Sequence, residues 1–116
     1  MPSITPITLD VALTPCSYVT ADTLVSGDPR EREHIYSERN GFVVGAWEAQ
    51  PYTEHIAAYP SDEFCTVVRG SVTLTPDGGQ PVTFRAGDSF SIEAGWAGTW
   101  RVEEPFLKLF AAATPS

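Results

Sequence analysis

Short β-type segments separated by turn residues run through the chain from Gly41 onward and restrict what it can fold into. Each segment is rich in Val, Thr and aromatic residues, and the prolines stand between segments. The predicted strands cover residues 42–48, 52–58, 63–68, 71–75, 82–85, 89–92, 99–103 and 106–111. No stretch shows a helical period of about 3.6 residues. This rhythm predicts an all-β barrel or sandwich.

The segment from Pro76 to Gly79 stands between two of the predicted strands. It contains Asp77, Gly78 and Gly79, and both Asp and Gly tolerate positive φ. We therefore expect a tight hairpin turn at this place.

The first forty residues have a different pattern. Apolar residues alternate with other residues from Ile7 to Leu13, which is typical of a half-buried strand. Residues 26–40 hold a Gly-Asp-Pro turn and a charged run, which predicts a solvated loop with at most one helical turn. We expect an N-terminal strand and charged loop in residues 1–40, packed on a barrel of residues 41–113, in a single domain.

The charge balance argues against several partners. Fifteen acidic residues outnumber seven basic ones, for a formal charge of −8 over 116 residues, which repels nucleic acid and anionic lipid. No apolar run approaches the roughly 18 residues of a membrane helix, and the first residues lack the features of a secretion signal. We expect a cytoplasmic protein with no membrane or nucleic-acid partner, in which Cys16 and Cys65 are free thiols.

Residues 62–74, 84–90 and 95–100 resemble the conserved motifs of cupins. The similarity is greatest to small single-domain cupins related to ureidoglycine aminohydrolase and the ethanolamine-utilisation cupin, and it covers about residues 41–110. The resemblance implies the cupin double-stranded β-helix, a jelly-roll barrel with one interior cavity. Because cupins commonly form homodimers, it also implies a homodimer.

The metal ligands of cupins, three histidines and one glutamate, are mostly missing. Glu63 matches the glutamate, whereas Ala57 and Tyr59 stand at the histidine positions of the first motif and Gly98 at that of the second. Alanine and glycine have no donor atom, and a protonated tyrosine is a poor ligand. We therefore expect no metal and no cofactor, and no transfer of the metal-dependent activity of ureidoglycine aminohydrolase.

Glu63 is the candidate catalytic residue, with Tyr59 as a hydrogen-bond donor. Alternation along one strand would put His55 and Tyr59 on the same face, and alternation along the next strand would put Glu63 and Cys65 together. In the cupin register both rows face the cavity. A desolvated carboxyl group is either protonated or paired with a donor such as Tyr59 or His55. It can then act as a general acid or base. A purely structural hydrogen bond is the alternative.

Four further residues are candidates for ligand binding: His55, Cys65, Trp100 and Trp47. His55 is otherwise a rim residue, and Cys65 is otherwise a packing residue, because a nearby acid raises the pKa of a thiol. The tryptophans either wall the cavity or belong to the core or a dimer contact. Lys108 and Arg101 are expected on solvated outer faces, with binding of an anion as the alternative.

Three functions remain open from the sequence. The first is metal-independent acid-base chemistry on a small molecule bound in the barrel. The second is a cupin that binds or senses a metabolite without turnover. The third is a structural homodimeric subunit whose barrel is filled by side chains.

Overall fold

The computed structural model describes residues 2–114, and the regular elements there are all strands. They are β1 (Thr14–Pro15), β2 (Leu24–Gly27), β3 (Arg32–Arg39), β4 (Phe42–Ala49), β5 (Tyr52–Ile56), β6 (Asp62–Pro76), β7 (Val82–Arg85), β8 (Ser89–Ile92) and β9 (Gly98–Ala113). Within this range no helix is long and apolar enough to cross a membrane. The predicted all-β class is confirmed.

Two long strands, β6 and β9, organise the fold by pairing with each other and taking part in two sheets. One sheet has the order β8-β6-β9-β4-β3-β1 and uses the first half of β6 and the second half of β9. The other has the order β7-β6-β9-β5-β2 and uses the remaining halves. All of these pairs are antiparallel, and side chains from both sheets pack into one core between them.

Gly70 marks the point where β6 passes from one sheet to the other. Its φ is +81°, and a Cβ there would lie 2.1 Å from the carbonyl oxygen of Pro105 on β9. The pairing of β6 with β9 is irregular around this residue. The predicted strands 63–68 and 71–75 are therefore two halves of β6, and 99–103 and 106–111 are two halves of β9.

The remaining strand predictions from residue 42 onward differ from the structure only at their ends. Strand 42–48 is one residue short, and strand 52–58 is too long because β5 ends at Ile56. Strands 82–85 and 89–92 match β7 and β8. The hairpin turn is confirmed, since the Gly79 N–H donates to the Pro76 carbonyl at 2.9 Å.

The N-terminal predictions are wrong in two places. The segment from Ile7 to Leu13 forms no strand, and Ile7 and Leu9 are exposed, because no sheet edge pairs with them. The predicted loop of residues 26–40 contains the end of β2 and the whole of β3, which pairs with β4. A charged run is compatible with a strand when only one of its faces turns inward.

The core draws on both sheets and is rich in aromatic residues. Its buried members include Trp47 of β4, Tyr52 of β5, Phe90 of β8, and Trp100 and Phe106 of β9. The Trp47 ring meets those of Tyr52, Trp100 and Phe106 edge to face, with centroids 6.1 to 6.4 Å apart. Such contacts are favourable for aromatic pairs and hold the two sheets together.

Candidate functional site

A cavity of about 820 Å³ is lined by residues of both sheets. Further wall residues come from segments 18–23 and 57–61. Its aromatic side chains are Tyr18, Trp47, Tyr52, Tyr59, Trp100 and Phe110, and its charged side chains are Glu33, Glu38, Glu54, Glu63 and Lys108. The volume lies in the range of small-molecule sites, about 300 to 1,000 Å³.

A buried ion pair between Glu63 of β6 and Lys108 of β9 lies on the cavity wall. The Lys108 Nζ is 2.6 Å from Glu63 Oε2, and the two side chains are 8% exposed or less. The expected outer position of Lys108 is wrong. Lys108 alternates in register with Phe106 and Phe110, which also pack inward, and this pattern in the sequence was the available signal.

Tyr59 and Cys65 complete the hydrogen bonding of Glu63. The Tyr59 hydroxyl donates to Oε1 at 3.2 Å, and the Cys65 thiol donates to Oε2 at 2.9 Å. Of the alternatives that the sequence left open for Glu63, the structure has the hydrogen bond with Tyr59. We call Glu63, Lys108, Tyr59 and Cys65 the Glu63 cluster.

The Glu63 cluster has a defined protonation state. Burial raises the pKa of Glu63, but the Lys108 ammonium and the hydrogen bonds from Cys65, Lys108 and Tyr59 outweigh it, so the pKa lies below its ordinary value. Burial and the Glu63 carboxylate raise the pKa of Cys65 to about 12, against the influence of Lys108. At neutral pH the cluster holds a carboxylate, an ammonium and a protonated thiol.

Lys108 also lies against aromatic rings. Its Nζ is 5.1 Å from the ring centroid of Trp47, 4.9 Å from that of Trp100 and 5.5 Å from that of Phe110. These are cation–π distances. Trp47 and Trp100 are thus both core residues and cavity walls, so two of the interpretations left open by the sequence apply at once. Trp100 also stacks on Tyr59 at 6.2 Å.

Glu31 is a buried carboxylate that sequence reasoning missed, because it lies in the charged run read as a loop. It accepts hydrogen bonds from the backbone N–H groups of Tyr18 and Val19 and from Trp47 Nε1, at 3.0 to 3.1 Å. Tyr18 and Val19 line the cavity. Glu31 therefore ties the segment that covers one side of the cavity to the core.

His55 does not face the cavity, contrary to expectation. Its side chain is 47% exposed and its Nε2 lies 2.9 Å from Asp77 Oδ1. The expected alternation fails because β5 ends at Ile56, and Tyr59 lies on the following segment, where its backbone bonds to Gly95 and Trp96. Cys65 lies behind Glu63 and is not part of the cavity wall.

Glu54 is the residue of β5 that brings a carboxyl group to the cavity. It accepts hydrogen bonds from the Tyr52 hydroxyl and the Thr23 hydroxyl, both at 3.1 Å. Burial raises the pKa of Glu54, although these hydrogen bonds act in the opposite direction. Alternation with the buried Tyr52 was the sequence signal for this position.

The residues present do not fit the metal ion that the resemblance to cupins implies. A Cβ at Gly98 would lie 2.4 Å from the Thr75 carbonyl oxygen and 2.6 Å from the Trp96 ring, so no histidine fits there. Glu63 already has a cation in Lys108. Across residues 2–114, no three His, Cys, Asp or Glu side chains are grouped to hold a metal ion.

Solved structures with this fold include a DUF861-family protein of unknown function from Pseudomonas syringae, with a TM-score of 0.84 and 23% identity. That match covers 90% of this chain but 45% of the Pseudomonas chain, so this chain spans less than half of its length. EutQ from Salmonella typhimurium gives 0.64 at 14% identity, over 75% of this chain and 72% of EutQ. EutQ from Clostridium difficile gives a TM-score of 0.65 at 15% identity, over 76% of this chain and 65% of the Clostridium chain.

The sequence comparison identifies the family. No curated protein matches the chain significantly. Residues 36–110, well over half of the chain, match the EutQ-like cupin domain. The predicted cupin fold and the resemblance to the ethanolamine-utilisation cupins are confirmed, and the chain belongs to the EutQ-like cupin domain family.

Proposed function

We propose that this cupin binds a small-molecule ligand in its barrel cavity, against the Glu63 cluster, without a metal ion. The observation that carries the proposal is the cavity of about 820 Å³ whose wall holds the buried Glu63–Lys108 pair. A site of this kind combines mostly apolar, aromatic walls with a few fixed polar groups that orient a ligand. Trp100, Tyr59 and Trp47 supply the walls, and Glu63 and Lys108 supply the polar groups.

The protonation states favour binding over turnover. A general acid or base works best when its pKa lies near the working pH. In the Glu63 cluster the pKa of the carboxyl group lies below its ordinary value, and the pKa values of Cys65 and Tyr59 lie above theirs, chiefly through burial. These shifts move the pKa values of the three groups away from neutral pH, which supports a protein that binds or senses a ligand.

Proton abstraction by Glu63 is a second candidate function. It is favoured by the position of the ionised Glu63 carboxylate on the cavity wall, with the Tyr59 hydroxyl as a neighbouring donor at 3.2 Å. In this reaction Glu63 would accept a proton from the substrate and Tyr59 would donate a hydrogen bond to the developing negative charge.

A thermal-shift panel of ureides, amino alcohols, sugars and carboxylates tests the binding proposal. A ligand present at about one hundred times its Kd stabilises the native protein by about 2.7 kcal/mol and raises Tm. The variant Ala57→Trp, at the exposed rim of the cavity, should abolish the shift. Ala86→Trp, at an exposed turn away from the cavity, should retain it. A shift that survives Ala57→Trp, or no shift across the panel, would count against the proposal.

Glu63→Gln and Tyr59→Phe separate the two candidates once a ligand is found. If the protein turns the ligand over, Glu63→Gln should stop turnover in protein that still binds. Tyr59→Phe should lower kcat with a smaller effect on Kd. Unchanged turnover in Glu63→Gln would refute the assignment of Glu63 as the base.

A further inference from the structure

The segment between β1 and β2, residues 16–23, joins the two sheets at the cavity. β1 pairs with β3 at the edge of one sheet, and β2 pairs with β5 at the edge of the other. Three residues of the segment, Tyr18, Val19 and Thr23, line the cavity. We call residues 16–23 the strap. The strap is therefore a part of the cavity wall that belongs to neither sheet.

The strap lacks the row of backbone hydrogen bonds that holds a strand in a sheet. At its first residue, the Cys16 N–H donates to the Glu31 carbonyl at 3.1 Å. At its last residue, the Thr23 carbonyl accepts from the His55 N–H at 2.9 Å. Among the described residues, the backbone of 17–22 bonds to neither β3 nor β5, and its hydrogen bonds close a local turn before β2. The middle of the strap is therefore held by side chains.

The buried carboxylate of Glu31 holds the middle of the strap. Its Oε2 accepts from the backbone N–H groups of Tyr18 and Val19 at 3.1 and 3.0 Å, and its Oε1 accepts from Trp47 Nε1 at 3.1 Å. Glu31 is 5% exposed and takes part in none of the ion pairs within residues 2–114. A buried charge needs hydrogen-bond donors in place of water, so these N–H groups stabilise the carboxylate while the strap is closed.

The other contacts of the strap are few and close to solvent. Cys16, Val19 and Thr23 are partly buried, and the other strap residues are exposed. The hydroxyl groups of Tyr18 and Thr23 each donate to a glutamate of a neighbouring strand. A segment with few buried apolar contacts and few backbone hydrogen bonds opens at a lower free energy than the strands around it.

Glu31 also connects the strap to the Glu63 cluster. The Trp47 ring, whose Nε1 donates to Glu31, lies 5.1 Å from the Nζ of Lys108, and Lys108 pairs with Glu63. Glu31 itself is not among the residues that line the cavity. A substitution of Glu31 therefore releases the strap without removing a side chain from the cavity wall.

We infer that the strap is a movable wall of the cavity, held shut by Glu31, and that it opens while the rest of the barrel stays folded. In the closed form Glu31 accepts from the two strap N–H groups, and in the open form water replaces each partner. A ligand enters and leaves while the strap is open and is enclosed by Tyr18, Val19 and Thr23 when it closes. The passage of a ligand rests on the proposed binding function, whereas the opening is a property of the free protein.

Amide hydrogen exchange, followed by NMR at several low urea concentrations, tests the opening in the wild type without any ligand. The amides of Tyr18 and Val19 have Glu31 as their acceptor within residues 2–114, so they report on the strap. We expect them to exchange at least about a hundredfold faster than the paired amides of β6 and β9. Their exchange should depend little on urea, because a local opening exposes little surface. If they exchange as slowly as the amides of β6, with the same urea dependence, the inference is wrong.

Glu31→Gln tests whether this carboxylate is what holds the strap. Glutamine has nearly the same size, but it removes the charge and replaces one acceptor oxygen with an NH2 group. Exchange at Tyr18 and Val19 should become about tenfold faster. Asp62→Asn is the control, because Asp62 accepts from the backbone N–H of Ala94, away from the strap. It should leave exchange at Tyr18 and Val19 unchanged. No change in Glu31→Gln, or an equal change in Asp62→Asn, would overturn the role of Glu31.

The passage of a ligand is tested with the compound of the thermal-shift panel that raises Tm most. Stopped-flow kinetics should show that Glu31→Gln raises its association and dissociation rates by the same factor, about tenfold, because both steps need the open strap. Kd should change by less than about twofold, since the closed form remains dominant. A change in the dissociation rate alone would show that the ligand does not pass the strap. A panel without any hit counts against the binding function, and the exchange measurements still decide the opening.

Discussion

Glu63 Oε2 and Lys108 Nζ lie 2.6 Å apart, and each side chain is more than nine-tenths buried. Removing two charges from water is costly, and each ion is stabilised mainly by the other. Tyr59 and Cys65 occupy further lone pairs of the carboxylate, which makes the cluster a connected network. The loss of one ion leaves the other buried without its counter-charge.

Lys108→Met should therefore lower the free energy of unfolding by about 3 to 5 kcal/mol, measured by urea denaturation. The double variant Lys108→Met/Glu63→Gln should lose less than the sum of the two single variants, because it leaves no isolated charge whereas each single variant leaves one. Arg69→Met, which removes an exposed partner of Glu48, should cost about 1 kcal/mol or less. Additive losses in the double variant would contradict a coupled pair.

The same cluster predicts an acid-dependent loss of stability. Burial raises the pKa of Glu63, but Lys108 and the hydrogen bonds lower it by more, so the pKa in the folded protein lies below the ordinary 4.5. A carboxyl group whose pKa is lower in the folded protein than in the unfolded protein stabilises the fold. This stabilisation is complete above the unfolded pKa and is lost as the pH falls through the folded pKa. Below about pH 4.5, the free energy of unfolding measured by urea denaturation should fall more steeply with decreasing pH for the wild type than for Glu63→Gln. Parallel curves would contradict this.

The long strands β6 and β9 connect the two sheets, and their close approach at Gly70 is the element on which the architecture depends. Both strands continue through the crossing, so one side chain there would push the sheets apart. The space is limited because a Cβ at Gly70 would lie 2.1 Å from the Pro105 carbonyl oxygen. Strand periodicity cannot reveal a bend in this position, because the alternation of side chains is interrupted there. The two halves of β6 then look like two separate strands.

Gly70→Ala should destabilise the protein by at least about 2 kcal/mol more than Gly78→Ala. Both glycines have positive φ, +81° and +74°, so the backbone cost of alanine is similar. A Cβ at Gly78 meets no atom within 4 Å, which makes it the matched control. Equal losses in thermal or urea denaturation would show that the contact with Pro105 is unimportant.

At the scale of the whole molecule, one outer sheet face carries exposed apolar side chains. Phe64 of β6 and Val44 of β4 both pair with Ala111 of β9, so they share the face opposite the cavity. Phe42 lies on the same face, and Phe42 and Phe64 are about half exposed. Apolar surface of this kind is typical of an interaction site.

We expect the protein to form a homodimer through this face, and light scattering coupled to gel filtration checks the mass. Phe64→Glu should shift the protein toward the monomer, because it buries a charge in the contact. Val82→Glu changes an equally exposed apolar residue on β7 and should leave the mass unchanged. A wild-type protein that stays monomeric at high concentration would contradict the expectation.

The sequence by itself determined the all-β class, most strand positions, the hairpin at residues 76–79 and the absence of the cupin histidines. These features are local, because strand periodicity, turn residues and donor atoms are written in neighbouring positions. The pairing of Glu63 with Tyr59 was also accessible, since the two are four residues apart.

Only the tertiary structure decided what the cavity contains. Lys108 meets Glu63 across 45 residues of chain, and the contact exists because β6 and β9 pair in one register. Glu31 finds its donors in a segment with no strand pattern, and a bulge in β3 brings Glu38 to the same side as Glu33. These features depend on register and on the closing of the two sheets, which no local pattern in the chain encodes.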